Sequence, residues 1–400
     1  MSVVSRLSGA ALGTHIADQT ALVAVPLIAA LAFGASPELI GLLVACQTSA
    51  HLIGSIPFGI VVDQGRLRAL AITSAAISLI GFSVAAVSVL LGLVALFGVS
   101  ITLAGLGVVL FGLTSLSIIP RVTDATTLPR ANAALELPRA MSSFAAPLCV
   151  GLLIANVPTW SILAIAMAGS AIAVIFTTKL PTFEVAPKAT DPIIARIRAG
   201  GAYLVGHPLL RPIALCALFW NLAFAALLVV LVPAIQGLWL FETGAFGIAL
   251  SSFGLGAILG SWLSGRVSSL MPPWVILLFG PGSSALAASG LLILEEGVSP
   301  IWLYACLLLL GFGPFMWLIA QNSVRQLVSP PDMLGRVNAV IQTTIYGARP
   351  AGALLGGAVA GWFGPEAGLL LVTALFSASF AAAALSDLRL VKSYEALKPV

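Results

Sequence analysis

The sequence predicts an all-α membrane protein of about twelve transmembrane helices in two six-helix halves, with both termini in the cytoplasm. Three observations predict it: an apolar excess that no soluble core can absorb, basic residues confined to alternate connections, and an internal repeat of constant offset. Sixty per cent of the 400 residues are hydrophobic and 8% are charged, and the mean hydropathy is +1.12. A soluble domain of this length runs out of interior volume before it buries so much apolar surface. A bilayer removes that limit, at roughly 20 apolar residues per span.

Apolar runs bounded by charges, Gly and Pro mark the spans. In the first half they are Leu7–Phe33, Pro37–Val62, Leu70–Leu90, Val94–Ile119, Leu135–Ala155 and Thr159–Thr178. In the second they are Leu209–Gln236, Gly244–Gly265, Trp274–Leu294, Ile301–Asn322, Val337–Phe363 and Glu366–Leu385. The first run contains Asp18 and is too long for a signal-peptide core, so it reads as a retained helix. The expected organisation is an N-terminal half over residues 1–178, a cytoplasmic linker over 179–207, a C-terminal half over 208–386 and a tail over 387–400.

Charge sets the orientation. Arg66 and Arg68, Arg121 and Arg130, the linker's Lys179, Lys188, Arg196 and Arg198, then Arg266, Arg325 and Arg336, and the tail's Arg389, Lys392 and Lys398 all fall on one set of connections. The alternate connections carry Glu38, Glu242, Glu295, Glu296 and Glu366 and no Lys or Arg. The positive-inside rule then places both termini and the linker in the cytoplasm. The linker is the most polar stretch. Within it, Ile193–Leu204 has the pattern of a short amphipathic helix, with a plain tether as the alternative. A sequence pI near 9.1 reflects these flanking charges and not a nucleic-acid surface.

The repeat is the third observation. Leu128-Pro129-Arg130-Ala131-Asn132-Ala133 precedes the fifth span, and Leu334-Gly335-Arg336-Val337-Asn338-Ala339 precedes the eleventh. The 206-residue offset from Asn132 to Asn338 also relates Gly41 to Gly247, Gly54 to Gly260, Ser55 to Ser261, Gly59 to Gly265 and Gly151 to Gly357. Two parallel halves with a substrate site at their interface near the midplane is a known transporter arrangement. Glycines in spans 2, 5, 8 and 11 read either as ordinary close helix packing or as faces that slide during transport.

Several function classes are excluded. No Gly-x4-Gly-Lys-Ser/Thr is present, which argues against ATP-driven transport within this chain. His-Glu-x-x-His and Gly-x-Ser-x-Gly are missing, and His15, His51 and His207 stand on separate segments, so neither an enzyme, a metal site nor a cofactor is expected. Cys46, Cys149, Cys216 and Cys306 lie in apolar stretches without paired spacing and read as small packing residues.

Gly59-Ile60-Val61-Val62-Asp63, followed by Arg66 and Arg68, resembles the signature after the second helix of the major facilitator superfamily. Gln64 stands where that family commonly has a basic residue, and Arg66 where it has a second glycine. A narrower likeness, to macrolide-efflux and enterobactin-exporter transporters, rests on four stretches. These are Ala17-Asp18-Gln19 with Val25-Pro26; Leu128–Arg139 continuing through Ala146-Pro147 to Gly151; Leu334–Asn338 with Ala348-Arg349-Pro350 to Gly357; and His207–Arg211. Ala146 and Val150 replace the glycines that flank the fifth-helix proline in such antiporters. The resemblance implies export of a drug, siderophore or natural product by a proton-coupled multidrug-type antiporter in the bacterial inner membrane. It also implies a cytoplasmic gate of Gly59, Asp63, Arg66 and Arg68, with a solvated basic loop as the alternative. Arg130 and Arg336 read as helix-entry residues, or as a second set of gate contacts.

An ionised group at the centre of a span costs roughly 2.5–3.5 kcal/mol on insertion scales, so it usually faces a cavity or a partner. Asp18 is the expected proton-coupling carboxylate, and Arg349 or Arg139 its alternating partner; His15, one turn earlier on the same face, reads as a proton relay or as a hydrogen-bonded packing histidine. A permanent Asp–Arg packing pair is the alternative. Gln47, Trp220, Asn221, Phe224, Phe315, Trp317 and Gln321 supply the aromatic and polar surface that a bulky amphipathic substrate needs, or else ordinary packing. The expected partners are a small molecule, protons and the bilayer, with the protein acting as a monomer. Proton-coupled uptake is the alternative direction, and a non-transporting sensor on the same fold a third reading.

Overall fold

The computed structural model describes residues 2–64, 66–123, 128–183, 193–267 and 270–397. These form thirteen α-helices: α1 (Val3–Phe33), α2 (Pro37–Gln64), α3 (Leu67–Leu90), α4 (Val94–Val122), α5 (Leu128–Leu153), α6 (Leu163–Thr178), α7 (Ile193–Gly206), α8 (Leu210–Pro233), α9 (Ala245–Val267), α10 (Pro273–Leu292), α11 (Ile301–Val328), α12 (Pro331–Phe363) and α13 (Pro365–Ala384). Ten of them, counting α6 with the 3-10 turn Thr159–Ile162 that precedes it, are both long enough and apolar enough to cross a membrane. Helices α5 and α12, of 26 and 33 residues, have the length but carry more polar residues. Helix α7, at 14 residues, is too short. Lipid offers no hydrogen bonds, which is why the spanning segments are helical throughout.

Two compact units emerge. The first comprises Met1–Ala189 with Thr243–Ser251, the second Thr190–Glu242 with Ser252–Val400. The opening of α9 therefore belongs with the first unit: Ser251 Oγ donates to Phe144 O of α5 at 3.0 Å. A Cβ on Gly151 would lie 2.8 Å from Gly244 O.

The first unit's core gathers Leu7, Ala10 and Ala11 of α1 with Leu67, Ala71, Leu110, Phe111, Ile118 and Ile119. Helices α1 and α6 meet glycine on glycine. A Cβ on Gly169 would stand 2.6 Å from Gly13 O, and one on Gly13 would collide with Gly169 O. Two arginines tie the end of α6 to its neighbours: Arg68 Nη2 donates to Thr178 O at 2.9 Å and Arg6 Nη1 to Lys179 O.

The second unit's core contains Leu210, Ile213, Cys216, Met316, Trp317, Val324, Val337 and Leu388. Here the small residues do close packing: Gly352 and Gly356 of α12 lie against the Leu222 and Ala226 backbone of α8, and Gly256 and Gly260 of α9 against the Leu308 and Phe312 carbonyls of α11. Close backbone approach through small residues is how helices associate in lipid.

Two boundaries differ from expectation. Residues 128–133 and 334–339 were expected to precede their helices, yet they form early turns of α5 and α12. Pro129 and Pro331 explain it, since proline is compatible with a first turn, where its missing N–H is not needed. The linker's Ile193–Gly206 is helical, and Tyr203 Oη ties it to Val328 O at 2.9 Å.

His207 anchors the start of α8. Its buried Nδ1 accepts from the Leu209 and Leu210 N–H groups at 3.1 and 3.4 Å, which only the neutral imidazole can do. Burial holds its pKa below the ordinary 6.5. The folded state therefore binds fewer protons than the unfolded chain. The cap's contribution is complete above pH 6.5 and is lost as pH falls toward the lowered folded value. Melting temperature is expected to drop over that window, and His207→Asn, which retains an acceptor, to flatten the dependence.

Candidate functional site

The polar residues of α1 are oriented by its packing. Gly13 locks one face to α6, and Ser8 Oγ donates to Ala134 O at 2.7 Å, which fixes α1 against α5. His15 and Asp18 thus lie where α5 brings Glu136 and Arg139 within electrostatic reach of the imidazole. Glu136 and Arg139 form an ion pair at 3.8 Å, one helical turn apart, with both side chains exposed. Asp18 Oδ2 accepts from Gln19 Nε2 at 3.2 Å. Four ionisable groups of mixed sign, one of them an imidazole, lie on α1 and the adjoining turns of α5. That arrangement can hold and pass a proton.

The second unit builds a different cluster. Asn221, buried in α8, donates through Nδ2 to Ala217 O at 2.8 Å. Its Oδ1 accepts from Arg349 Nε of α12 at 3.0 Å. Gly352 permits the contact, because a side chain there would meet the Leu222 backbone and push α12 away. Arg349 thus engages a neutral amide within its own unit. Beside it Trp220 stacks on Phe224 at 5.1 Å and donates Nε1 to Ser284 Oγ at 3.0 Å. The aromatic series continues from Phe224 to Phe253 at 5.0 Å and from Phe253 to Phe315 at 6.2 Å. A run of aromatic rings in the unit that also holds an arginine suits an aromatic or amphipathic group. Asn221→Leu removes the acceptor of Arg349 Nε and is expected to cost about 1–3 kcal/mol, read as a lower melting temperature in detergent.

Sequence reasoning missed Phe253. Its signal was a single aromatic in the small-residue run Ser251-Ser252-Phe253-Gly254. Trp317 and Gln321 lie buried in α11: Trp317 packs against Gly280 of α10, and Gln321 Nε2 donates to Asn322 Oδ1 at 2.7 Å. Gln47 keeps its Oε1 buried on α2 without a hydrogen bond. At the expected gate, Arg66 is exposed, Gly59 has open space where a Cβ would stand, and Arg336 Nη1 lies 3.6 Å from Met333 Sδ. The side chains of Asp63 and Arg130 lie outside the described residues.

Comparison with known proteins identifies the family. The family model described as Major Facilitator Superfamily matches residues 7–353. The enterobactin exporter EntS of Escherichia coli O1:K1 is 28% identical over 214 residues, 53% of this chain and 50% of that protein. The EntS of Shigella boydii serotype 18 is 29% identical over the same shares. The chain spans about half the length of the curated relatives it matches. Among solved structures, a POT family transporter in complex with 5-aminolevulinic acid superimposes with a TM-score of 0.77 at 12% identity, over 96% of this chain and 95% of that one. The nucleoside transporter NupG gives 0.76 at 15% identity, over 96% and 99%. With the family model covering most of the sequence and the same helical fold in these structures, the chain belongs to the Major Facilitator Superfamily and folds as a multi-span helical membrane protein.

Proposed function

We propose that the protein exports a hydrophobic or amphipathic small molecule, of the drug, siderophore or natural-product class, by alternating access in exchange for protons. The observation that carries this reading is the convergence of His15, Asp18, Glu136 and Arg139 on α1 and α5. A carboxylate among apolar helices is costly unless its charge is used or compensated. Asp18 has an amide neighbour, Gln19, that orients it without neutralising it. A proton arriving at Asp18 changes the charge felt by His15 and by the Glu136–Arg139 pair, which supplies the coupling. The aromatic series with Arg349 supports an amphipathic substrate, and the likeness to enterobactin exporters supports outward transport of a siderophore-like molecule.

The test is accumulation of a drug and siderophore panel in cells stripped of their own pumps. Expression is expected to lower accumulation of at least one compound, and a protonophore to restore it. Higher accumulation in expressing cells would replace export by uptake. An effect insensitive to the protonophore would remove the proton from the mechanism.

A further inference from the structure

The N-terminal end of α8 and the C-terminal end of α13 enclose a groove of about 470 Å³ that belongs to neither the proton cluster nor the aromatic series. Its walls are apolar and include Leu215, Phe219, Ala378 and Leu385, while Arg211 and Asp387 stand at its polar rim. The walls lie in segments apolar enough to span the membrane, and the rim lies where those spans end.

The groove is rigidly made. Cys216 Sγ donates to Ser379 O at 3.2 Å and Ser379 Oγ to Cys216 O at 3.0 Å, so a reciprocal pair of bonds clamps α8 to α13. The His207 cap fixes the turn that carries Arg211. On the other side Ser386 Oγ donates to Ala383 O at 2.7 Å and accepts from Leu388 N at 3.3 Å. Leu388 is fully buried in the core, which holds Asp387 in place. Both rim side chains are exposed, and among the described residues no ion pair joins them.

We propose that this groove is a binding site for a zwitterionic phospholipid whose headgroup carries a primary ammonium, of the phosphatidylethanolamine type. Charge complementarity selects this occupant. Arg211, at a helix N-terminus, presents guanidinium donors to a phosphate. Asp387 presents a carboxylate that accepts hydrogen bonds from the ammonium. One acyl chain follows the apolar wall past Leu215 and Phe219 into the hydrocarbon layer. A choline headgroup offers Asp387 no N–H donor, and a glycerol headgroup offers it no positive charge.

Purified full-length protein, titrated separately with phosphatidylethanolamine, phosphatidylcholine and phosphatidylglycerol and read by native mass spectrometry, tests the proposal. The ethanolamine lipid is expected to bind about tenfold more tightly than either of the others, one charge-assisted contact's worth. Arg211→Gln is expected to weaken all three by about tenfold. Asp387→Asn should bring the ethanolamine lipid down to the choline lipid and leave the latter unchanged. Both residues are exposed, and if one variant fails to fold, the other still reads the headgroup preference. Equal affinity for the three lipids would overturn the site, as would a preference that both variants retain, since either outcome marks ordinary surrounding lipid. A dimer that survives delipidation and is lost in Leu385→Glu would overturn it too, by assigning the groove to a second copy.

Discussion

Asp18→Asn is expected to reduce proton-driven substrate flux in proteoliposomes by at least about tenfold, equivalent to roughly 1.4 kcal/mol or more on the transport barrier. The asparagine keeps the size of the side chain and its hydrogen bond to Gln19, so helix packing is conserved. What it loses is the ability to alternate between charged and neutral forms. A carrier that couples through this carboxylate can then no longer release a proton on one side and reload it on the other. Substrate exchange without a proton gradient is expected to persist, because the aromatic series of the second unit is untouched. Asp18→Glu, which retains the titration, should recover part of the coupled flux. If Asp18→Asn transports at the wild-type rate with the same dependence on the gradient, the carboxylate is a packing residue and another member of the cluster carries the proton.

Gly13→Val is expected to have the largest effect on stability. The new side chain would be driven into the Gly169 carbonyl and the backbone at Ala173, where no flexible neighbour can move aside. Overpacking of this kind typically costs about 1–3 kcal/mol, and a clash with backbone sits at the upper end. A second consequence follows from the direction of the strain. Helix α1 would be displaced from α6, shifting His15 and Asp18 relative to Glu136 and Arg139, so coupling should fail along with stability. Gly59→Ala is the matched control. Nothing lies within 4 Å of a Cβ at that position, and replacing glycine in a helix interior gains roughly 0.5–1 kcal/mol. Thermal unfolding in detergent should separate the two variants clearly. Equal melting temperatures would show that the α1–α6 crossing is looser than its backbone distances imply.

These two cases differ in how visible they were beforehand. Asp18 announced itself in the sequence, because an acidic residue inside a long apolar run has a cost that demands a reason. Gly13 did not. Glycine is abundant in this chain, with 39 copies, and periodicity cannot say which copies meet a neighbouring backbone. The glycines of the second half read equally well as sliding or packing faces. In the structure Gly256, Gly260, Gly352 and Gly356 each press on a helix of their own unit. Arg349 shows the same limit. Its position in an apolar helix marked it as costly, but its hydrogen bond to Asn221 crosses 128 residues of sequence.

The sequence by itself determined the membrane class, the helical character of the spans, the 206-residue relation between the halves and the short list of polar residues that a bilayer would not tolerate idly. Each follows from local composition and spacing, which read the solvent around a segment directly. Tertiary structure alone decided which of those residues meet. It brought Glu136 and Arg139 to His15, chose Asn221 for Arg349, joined Phe253 to the aromatic series and opened the groove between Arg211 and Asp387. Those relations depend on how helices cross. In lipid a crossing is set by a few small residues and backbone contacts between distant segments, which leave no periodic trace in either one.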